Sequence, residues 1–268
     1  MRTIIHLSDL HFGRINPAIL APLQSFIKKV GPTLVAVSGD LTQRARTVEY
    51  LGAREFLAGI PFPQVVVPGN HDVPLHNPFK RFFRGLTRYR HYITPDLQPF
   101  YADSEIAVAG INTARALAWK DGRINRFQLA RLRAAMGPIG NERIKILVTH
   151  HPFDLPASAE GAVVGRSRLA IKTLAECGVD ICLAGHFHIG DTGYTARRYN
   201  LPGYSALVVS SGTSTSTRGR GQPNSLNVIE LDRPHVRIDR YTWQPATNVF
   251  DLLSAERFQF GSEGWIRE

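Results

Sequence analysis

Sulfur is scarce in this chain, with two cysteines and two methionines in 268 residues. Cys177 and Cys182 cannot build a disulfide framework, and their spacing fits no zinc knuckle, so they read as buried thiols in a reducing compartment. Long apolar runs are also missing. No stretch approaches the roughly 20 residues that a membrane helix needs, which excludes a spanning helix. The run inside MRTIIHLSDLHFG is too short for a secretion signal and carries His6 and Asp9, so the expectation is a cytoplasmic protein without a membrane partner. Lysine is rare, 6 against 26 arginines, and acidic residues number 22, leaving a net charge of +10. An arginine-rich surface favours anionic partners, because guanidinium grips phosphate through two parallel bonds. A compositional habit would give the same excess, and charge alone does not separate a nucleotide enzyme from a nucleic-acid binder.

With 43% hydrophobic and 20% charged residues, the chain can bury a full core and fits one large α/β domain, residues 1–268. Short β-type runs are expected at Thr3–Leu7, Thr33–Val37, Gln64–Val67, Ile106–Gly110, Lys145–Thr149, Asp180–Ala184 and Ser205–Ser210. Helical spacing falls at Pro17–Val30, Thr47–Ala58, Asn125–Met136 and Ser167–Cys177, punctuated by Gly31-Pro32, Gly137-Pro138 and Gly178. Alternation of strand and helix implies βαβ units with mostly parallel pairing. Leu226–Leu231 and His235–Thr242 read instead as a C-terminal antiparallel hairpin. The biased stretch SSGTSTSTRGRGQ, residues 210–222, reads as a polar loop.

The residues just past the strand ends carry the chemistry. The first run leads to Asp9 and His11, the second to Gly39-Asp40, and the third to Gly69-Asn70-His71-Asp72. Later runs end in His150 and in Gly185-His186-Phe187-His188. Ligands of open α/β sheets bind beyond the carboxyl ends of the strands, so five distant loops should deliver Asp, His and Asn to one edge. Imidazole and carboxylate without cysteine suit Mn, Fe, Zn, Ni or Co. Asp9, His11, Asp40, Asn70, His150, His186 and His188 are too many for one ion with an open position. With one of them bridging they make two sets of four, the two-metal arrangement that clamps attacking and leaving oxygens in phosphoryl transfer.

These blocks, Asp9-Leu10-His11, Gly39-Asp40, Gly69-Asn70-His71-Asp72, His150 and Gly185-His186-Phe187-His188, resemble the signature of the calcineurin-like metallophosphoesterases. The resemblance spans residues 9 to 188 and implies the αββα sandwich of the metallo-dependent phosphatase fold. It also implies two divalent transition-metal ions, Mn or Fe first. Asp9, His11, Asp40 and His188 would bind one ion and Asp40, Asn70, His150 and His186 the other, with Asp40 shared and a hydroxide between the ions as nucleophile. His71 would protonate the leaving oxygen as general acid, and Asp72 would orient it.

SDLHFG, SGDLTQRAR and VPGNHDVPLHN are most similar to the small bacterial class III cyclic-nucleotide phosphodiesterases. A small anionic phosphodiester, first a cyclic nucleotide, is therefore the expected substrate. A nuclease acting on single-stranded nucleic acid, or a phosphomonoesterase, is the alternative. His76, Asn112, Arg218 and Arg220 are candidate substrate contacts. The segment KRFFRGLTRYRH, residues 80–91, mixes arginine with aromatics. It fits either a stacking wall or, preferentially, an amphipathic helix with solvated arginines, within a cap at about 75–100. His151 should point away from His150 and serve support or packing, and His6 reads as structural.

Overall fold

A computed structural model describes residues 1–74, 81, 85–116, 121–218, 221–261 and 264–268. His76, Phe79, Phe82, Phe83 and Arg220 lie outside the described residues, and so does much of the expected cap.

Local sequence accounts for the helices. In α1 (Pro17–Val30), Asn16 caps the start by accepting from the Ala18 N–H, and proline occupies the first turn, where its missing N–H costs nothing. Ile19, Leu23 and Ile27 recur at fourfold spacing and are buried, and Gly31 at φ 62° closes the end by donating to Ile27. Helices α2 (Thr47–Ala58), α3 (Thr87–Tyr92), α4 (Arg126–Met136) and α5 (Ser167–Cys177) complete the set among the described residues. Cys177 and Cys182 are buried thiols, as expected.

The strands pair into two sheets. In the first, β1 (Arg2–Leu7), β2 (Leu34–Val37) and β3 (Gln64–Val66) run parallel. The strands β10 (Ser225–Asp232), β11 (His235–Gln244), β12 (Val249–Gly261) and β13 (Gly264–Arg267) extend it antiparallel from β1. In the second, β5 (Ile106–Gly110), β6 (Ile144–Val148), β7 (Ile181–Ala184) and β9 (Leu207–Ser210) are parallel. Antiparallel β4 (Phe100–Ala102) and β8 (Asp191–Tyr194) edge this sheet.

Three apolar clusters stack these layers. Ile4, Val65 and Ile229 of the first sheet meet Val108, Ile146 and Leu183 of the second in the central core. Ile19, Leu23 and Tyr50 pack α1 and α2 on the outer face of the first sheet, and Leu129, Leu132 and Leu174 pack α4 and α5 on that of the second. The result is four layers, αββα. The expected C-terminal hairpin proves to be half of a longer antiparallel run. The strand β12 gives no period-two signal, since Leu252 and Leu253 are both exposed, and its pairing with β11 decides its conformation.

Candidate metal centre

Every expected ligand lies just past the carboxyl end of a parallel strand: β1, β2 and β3 in one sheet, β6 and β7 in the other. The layered core brings these two edges together. His11 Nε2 lies 3.1 Å from His188 Nε2, and Asp9 Oδ1 is 3.1 Å from His188 Nε2 and 3.6 Å from His11 Nε2. On the other side, Asn70 Oδ1 is 3.1 Å from both His150 Nε2 and His186 Nδ1, which are 3.3 Å apart. Asp40 Oδ2 sits between the groups, 3.8 Å from His11 Nε2 and 3.4 Å from His150 Nε2.

The spacing fits ions better than protons. Ligand atoms at about 2.0 to 2.2 Å from one ion stand roughly 3 to 3.5 Å from each other. Two imidazole nitrogens facing at 3.1 Å can share only one proton, and Asp9 Oδ1 is buried with no hydrogen bond of good geometry. Three groups of His and Asp side chains here could hold a metal ion: Asp9, His11 and His188; Asp9, Asp40 and His150; and His150, His151 and His186.

Asp9, Asp40, His150 and His188 each commit their second polar atom elsewhere, which aims the other one inward, whereas His11 Nδ1 is buried with no partner among the described residues. Asp9 Oδ2 accepts from Ser8 Oγ at 2.6 Å and from the His186 N–H at 3.0 Å, leaving Oδ1. Asp40 Oδ1 accepts from the His71 N–H at 2.8 Å, leaving Oδ2. His150 Nδ1 donates to the Ser38 carbonyl at 2.8 Å and His188 Nδ1 to the Arg218 carbonyl at 3.0 Å, so both rings present Nε2. Such bonds fix the tautomer and the orientation of each ring.

The backbone is strained at the same residues. Asp9, His11, Asp40, His186 and His188 have φ of 52°, 52°, 51°, 76° and 60°, the left-handed region. That conformation costs an L-residue roughly 1 to 2 kcal/mol, though Asp and His tolerate it better than most. Hydrogen bonds between loops hold it, among them Asp9 N–H to the Gly39 carbonyl at 3.0 Å and His11 N–H to the Asp40 carbonyl at 2.9 Å.

The cluster also polarises its own titration. Burial alone would raise the carboxyls of Asp9 and Asp40, but the surrounding histidines, His188 for Asp9 and His150 for Asp40, hold both below the usual range. His150 is lifted to about 9, since Asp40 beside it outweighs burial. His186 is pushed down to about 3 by burial and by His150. A dication in place of the shared protons would satisfy the carboxylates and the ring nitrogens together.

His71 lies at the rim, half-buried, its ring 4.9 Å from that of His11. Its Nδ1 donates to the Gln43 carbonyl at 2.8 Å, so the expected orienting role of Asp72 is corrected. The Asp72 carboxylate instead accepts from the N–H groups of Leu41, Thr42 and Gly69 and from Thr42 Oγ1, at 2.9 to 3.1 Å. It ties the Asp40 loop to the 69–72 turn, and burial beside Asp40 raises its pKa to about 6.

Three other expectations change. Residues 210–216 are not a solvated polar loop: Ser211, Thr213, Ser214, Thr215 and Ser216 are buried, and exposure begins at Thr217. Thr213 Oγ1 donates to the Asp9 carbonyl at 2.7 Å and Thr215 Oγ1 to the Leu10 carbonyl at 2.6 Å, so this stretch clasps the loop that carries Asp9 and His11. The arginines of residues 80–91 are not all solvated. Arg81 is buried and donates to the carbonyls of Ala116, Pro74 and Arg115, and Arg88 donates to that of Ala45. Asn112 is buried and spends its side-chain oxygen on the Ala114 N–H at 2.8 Å, within its own turn.

His151 is buried, with Nδ1 2.7 Å from Thr113 Oγ1 and its ring 4.6 Å from that of His186. Arg218 reaches the rim, with Nη1 3.2 Å from His71 Nε2. Ser8, Ser38, Gln43 and Thr42 support the site without having been expected from sequence. Ser38 and Gln43 act through backbone carbonyls, which no side-chain pattern signals, whereas the Ser/Thr alternation of 213–217 could have been read as backbone-binding.

A family model described as Calcineurin-like phosphoesterase matches residues 2–190. A probable cyclic nucleotide phosphodiesterase of Rhodopseudomonas palustris is 30% identical over 159 residues, covering 55% of this chain and 57% of that protein. A glycerophosphodiester phosphodiesterase, GpdQ, of Enterobacter lignolyticus is 33% identical over 82 residues, covering 26% of this chain and 29% of the relative. These alignments thus span little more than half of one relative and under a third of the other. Among solved structures, purple acid phosphatase PPD1 from yellow lupin seeds superposes with a TM-score of 0.70 at 12% identity, over 96% of this chain and 53% of that one. At that identity the likeness is one of fold, the metallo-dependent phosphatase sandwich.

Proposed function

The chain belongs to the calcineurin-like phosphoesterase family, and on that premise we propose that it is a metal-dependent phosphodiesterase acting on a small phosphodiester, first a cyclic nucleotide. One observation carries the reading: two groups of inward-facing nitrogen and oxygen atoms share Asp40 Oδ2, with His71 beside them. Asp9, His11, Asp40 and His188 would hold one divalent ion and Asp40, Asn70, His150 and His186 the second. The nitrogen and oxygen donors, free of thiolate, suit Mn or Fe. When bound, such ions polarise phosphoryl oxygens and acidify water at neutral pH.

The chain's own residues do the rest. Asn70 contributes a neutral oxygen, which keeps the centre electrophilic. His71 has committed Nδ1 to Gln43, so Nε2 is the atom that would carry a proton to the departing alkoxide. Such general-acid help is worth about 10² to 10⁴ in rate. Asp72 acts on the loop, holding Asp40 and the 69–72 turn in register. The name of the Rhodopseudomonas relative supports a cyclic nucleotide as substrate, and that of the Enterobacter relative supports a diester more generally.

The test is a screen with added Mn²⁺ against 3′,5′- and 2′,3′-cyclic nucleotides, bis-p-nitrophenyl phosphate, p-nitrophenyl phosphate and single-stranded oligonucleotides. Preferential turnover of a cyclic nucleotide is the expected outcome. Turnover of oligonucleotides alone would make the protein a nuclease, and turnover of p-nitrophenyl phosphate alone a monoesterase.

A further inference from the structure

We propose that the Arg218 guanidinium is the seat for a non-bridging oxygen of the substrate's phosphoryl group, parked against His71 until that oxygen arrives. The inference rests on the phosphoesterase reading and adds to it the residue that grips the anion.

Arg218 performs two separable tasks. Its backbone carbonyl accepts from His188 Nδ1 at 3.0 Å and so orients a metal-site ring. Its side chain crosses to the other wall of the site, where Nη1 lies 3.2 Å from His71 Nε2 and 3.5 Å from Gln43 Oε1. Because the Gln43 carbonyl can only accept, His71 carries its proton on Nδ1, and Nε2 offers a lone pair to the guanidinium. The contact is therefore between a cation and two neutral acceptors.

That leaves the positive charge unspent. Among the described residues no carboxylate lies within ion-pair distance of Arg218, and its side-chain bonds to them leave from Nη1. Nη2 and Nε retain donors in the planar fork that matches two phosphoryl oxygens. A phosphoryl oxygen brings the guanidinium a full opposite charge that the ring lone pair and the amide oxygen lack, so an arriving phosphodiester would displace both. His71 Nε2 would thereby be uncovered as the anion is bound, free to take from solvent the proton that it then passes to the leaving oxygen.

The backbone beneath is firmly held. The Arg218 N–H donates to Ser216 Oγ at 3.0 Å, and Ser216 Oγ donates to the Arg14 carbonyl at 3.2 Å. The Thr217 N–H reaches the same carbonyl at 2.8 Å. Ser216 is buried while Arg218 is half-exposed, so the head can move on a fixed base.

The experiment compares wild type, Arg218→Gln and Arg218→Lys as Mn²⁺-loaded protein. Metal content, orthophosphate affinity by calorimetry, and kcat and KM on bis-p-nitrophenyl phosphate are measured for each. Metal content should stay at the wild-type value, because His188 is oriented by a carbonyl that both substitutions keep. Orthophosphate Kd and KM should rise about 10- to 100-fold in the Gln variant, the loss expected for charge-assisted bonds, with Lys intermediate and kcat less affected. Orthophosphate affinity within twofold of wild type in both variants would overturn the proposal, and so would metal loss in both or a wild type that binds no orthophosphate. A wild type that binds orthophosphate through Arg218 but hydrolyses no diester would uphold the seat and refute the diesterase reading.

Discussion

Replacing Gly69 by alanine should disable the centre while leaving the fold intact. An added Cβ would lie 2.1 Å from Asp40 Oδ1, 2.4 Å from the Asp40 nitrogen and 2.8 Å from its Cγ. Gly69 has φ −105°, which any residue adopts, so the demand for glycine here is one of space. Carbon atoms prefer neighbours at about 3.5 to 4.0 Å, so Asp40 or the turn must recoil by roughly 1 Å. The atom struck is also the acceptor for the His71 N–H, so recoil shifts the shared ligand and the rim histidine together. A displacement of about 1 Å from productive geometry costs on the order of 100-fold. That corresponds to about 2.7 kcal/mol of barrier. Metal stoichiometry and affinity, kcat/KM on bis-p-nitrophenyl phosphate and circular dichroism would be compared with wild type. Gly31→Ala is the control: its Cβ meets nothing within 4 Å, though φ is 62°, so it should cost backbone strain and spare the metals. A Gly69→Ala protein with two ions at wild-type affinity and activity within threefold would refute the reasoning.

Asp40→Ala should empty or cripple both metal positions, and retention of two tightly bound ions by mass spectrometry would contradict its shared placement. His71→Asn should slow cyclic-nucleotide turnover by about 10² or more while sparing aryl diesters, whose leaving groups need no proton; equal losses on both would mean that it serves charge stabilisation instead. The His6 pKa is lowered to about 3 by burial. Its Nδ1 accepts from Asn227 Nδ2 at 3.4 Å and Nε2 lies 2.9 Å from Ser38 Oγ, an environment made for the neutral ring. Its contribution should be complete above about pH 6.5 and should fade as pH falls toward 3, with about 3 kcal/mol lost near pH 4.5. Urea titrations of His6→Gln should then show a flatter loss of stability in that window, and an unchanged slope would exclude His6 as a source of acid sensitivity.

Much of the site was legible because its ligands come after strands whose apolar runs announce themselves. Val35 to Val37 and Ile181 to Ala184 are buried throughout, as parallel strands between layers require, and each leads within a few residues to a ligand. The helices were legible from fourfold spacing and caps. The edge strands β4, β8 and β13 and the exposed β12 were not, because short or exposed strands carry no strict alternation and take their conformation from a paired neighbour. The Ser/Thr stretch misled for a related reason. Its composition is that of a solvated loop, and its hydroxyls are buried only because the loop that carries Asp9 and Leu10 offers them carbonyls.

The order of residues along the chain sufficed for the inventory of candidates: seven oxygen- and nitrogen-bearing side chains, their succession, and their attachment to the ends of strands. Local chemistry is enough for that, since hydrophobic periodicity marks each strand and the polar residues come next in register. Packing of the folded chain settled which atom of each ligand faces inward, what holds five ligands at positive φ, and that Gln43 rather than Asp72 orients His71. These outcomes depend on hydrogen bonds between loops far apart in the chain, such as Asp40 to His71, His150 to Ser38 and His188 to Arg218. Such partners meet only after the two sheets have packed face to face, and so no local pattern encodes them.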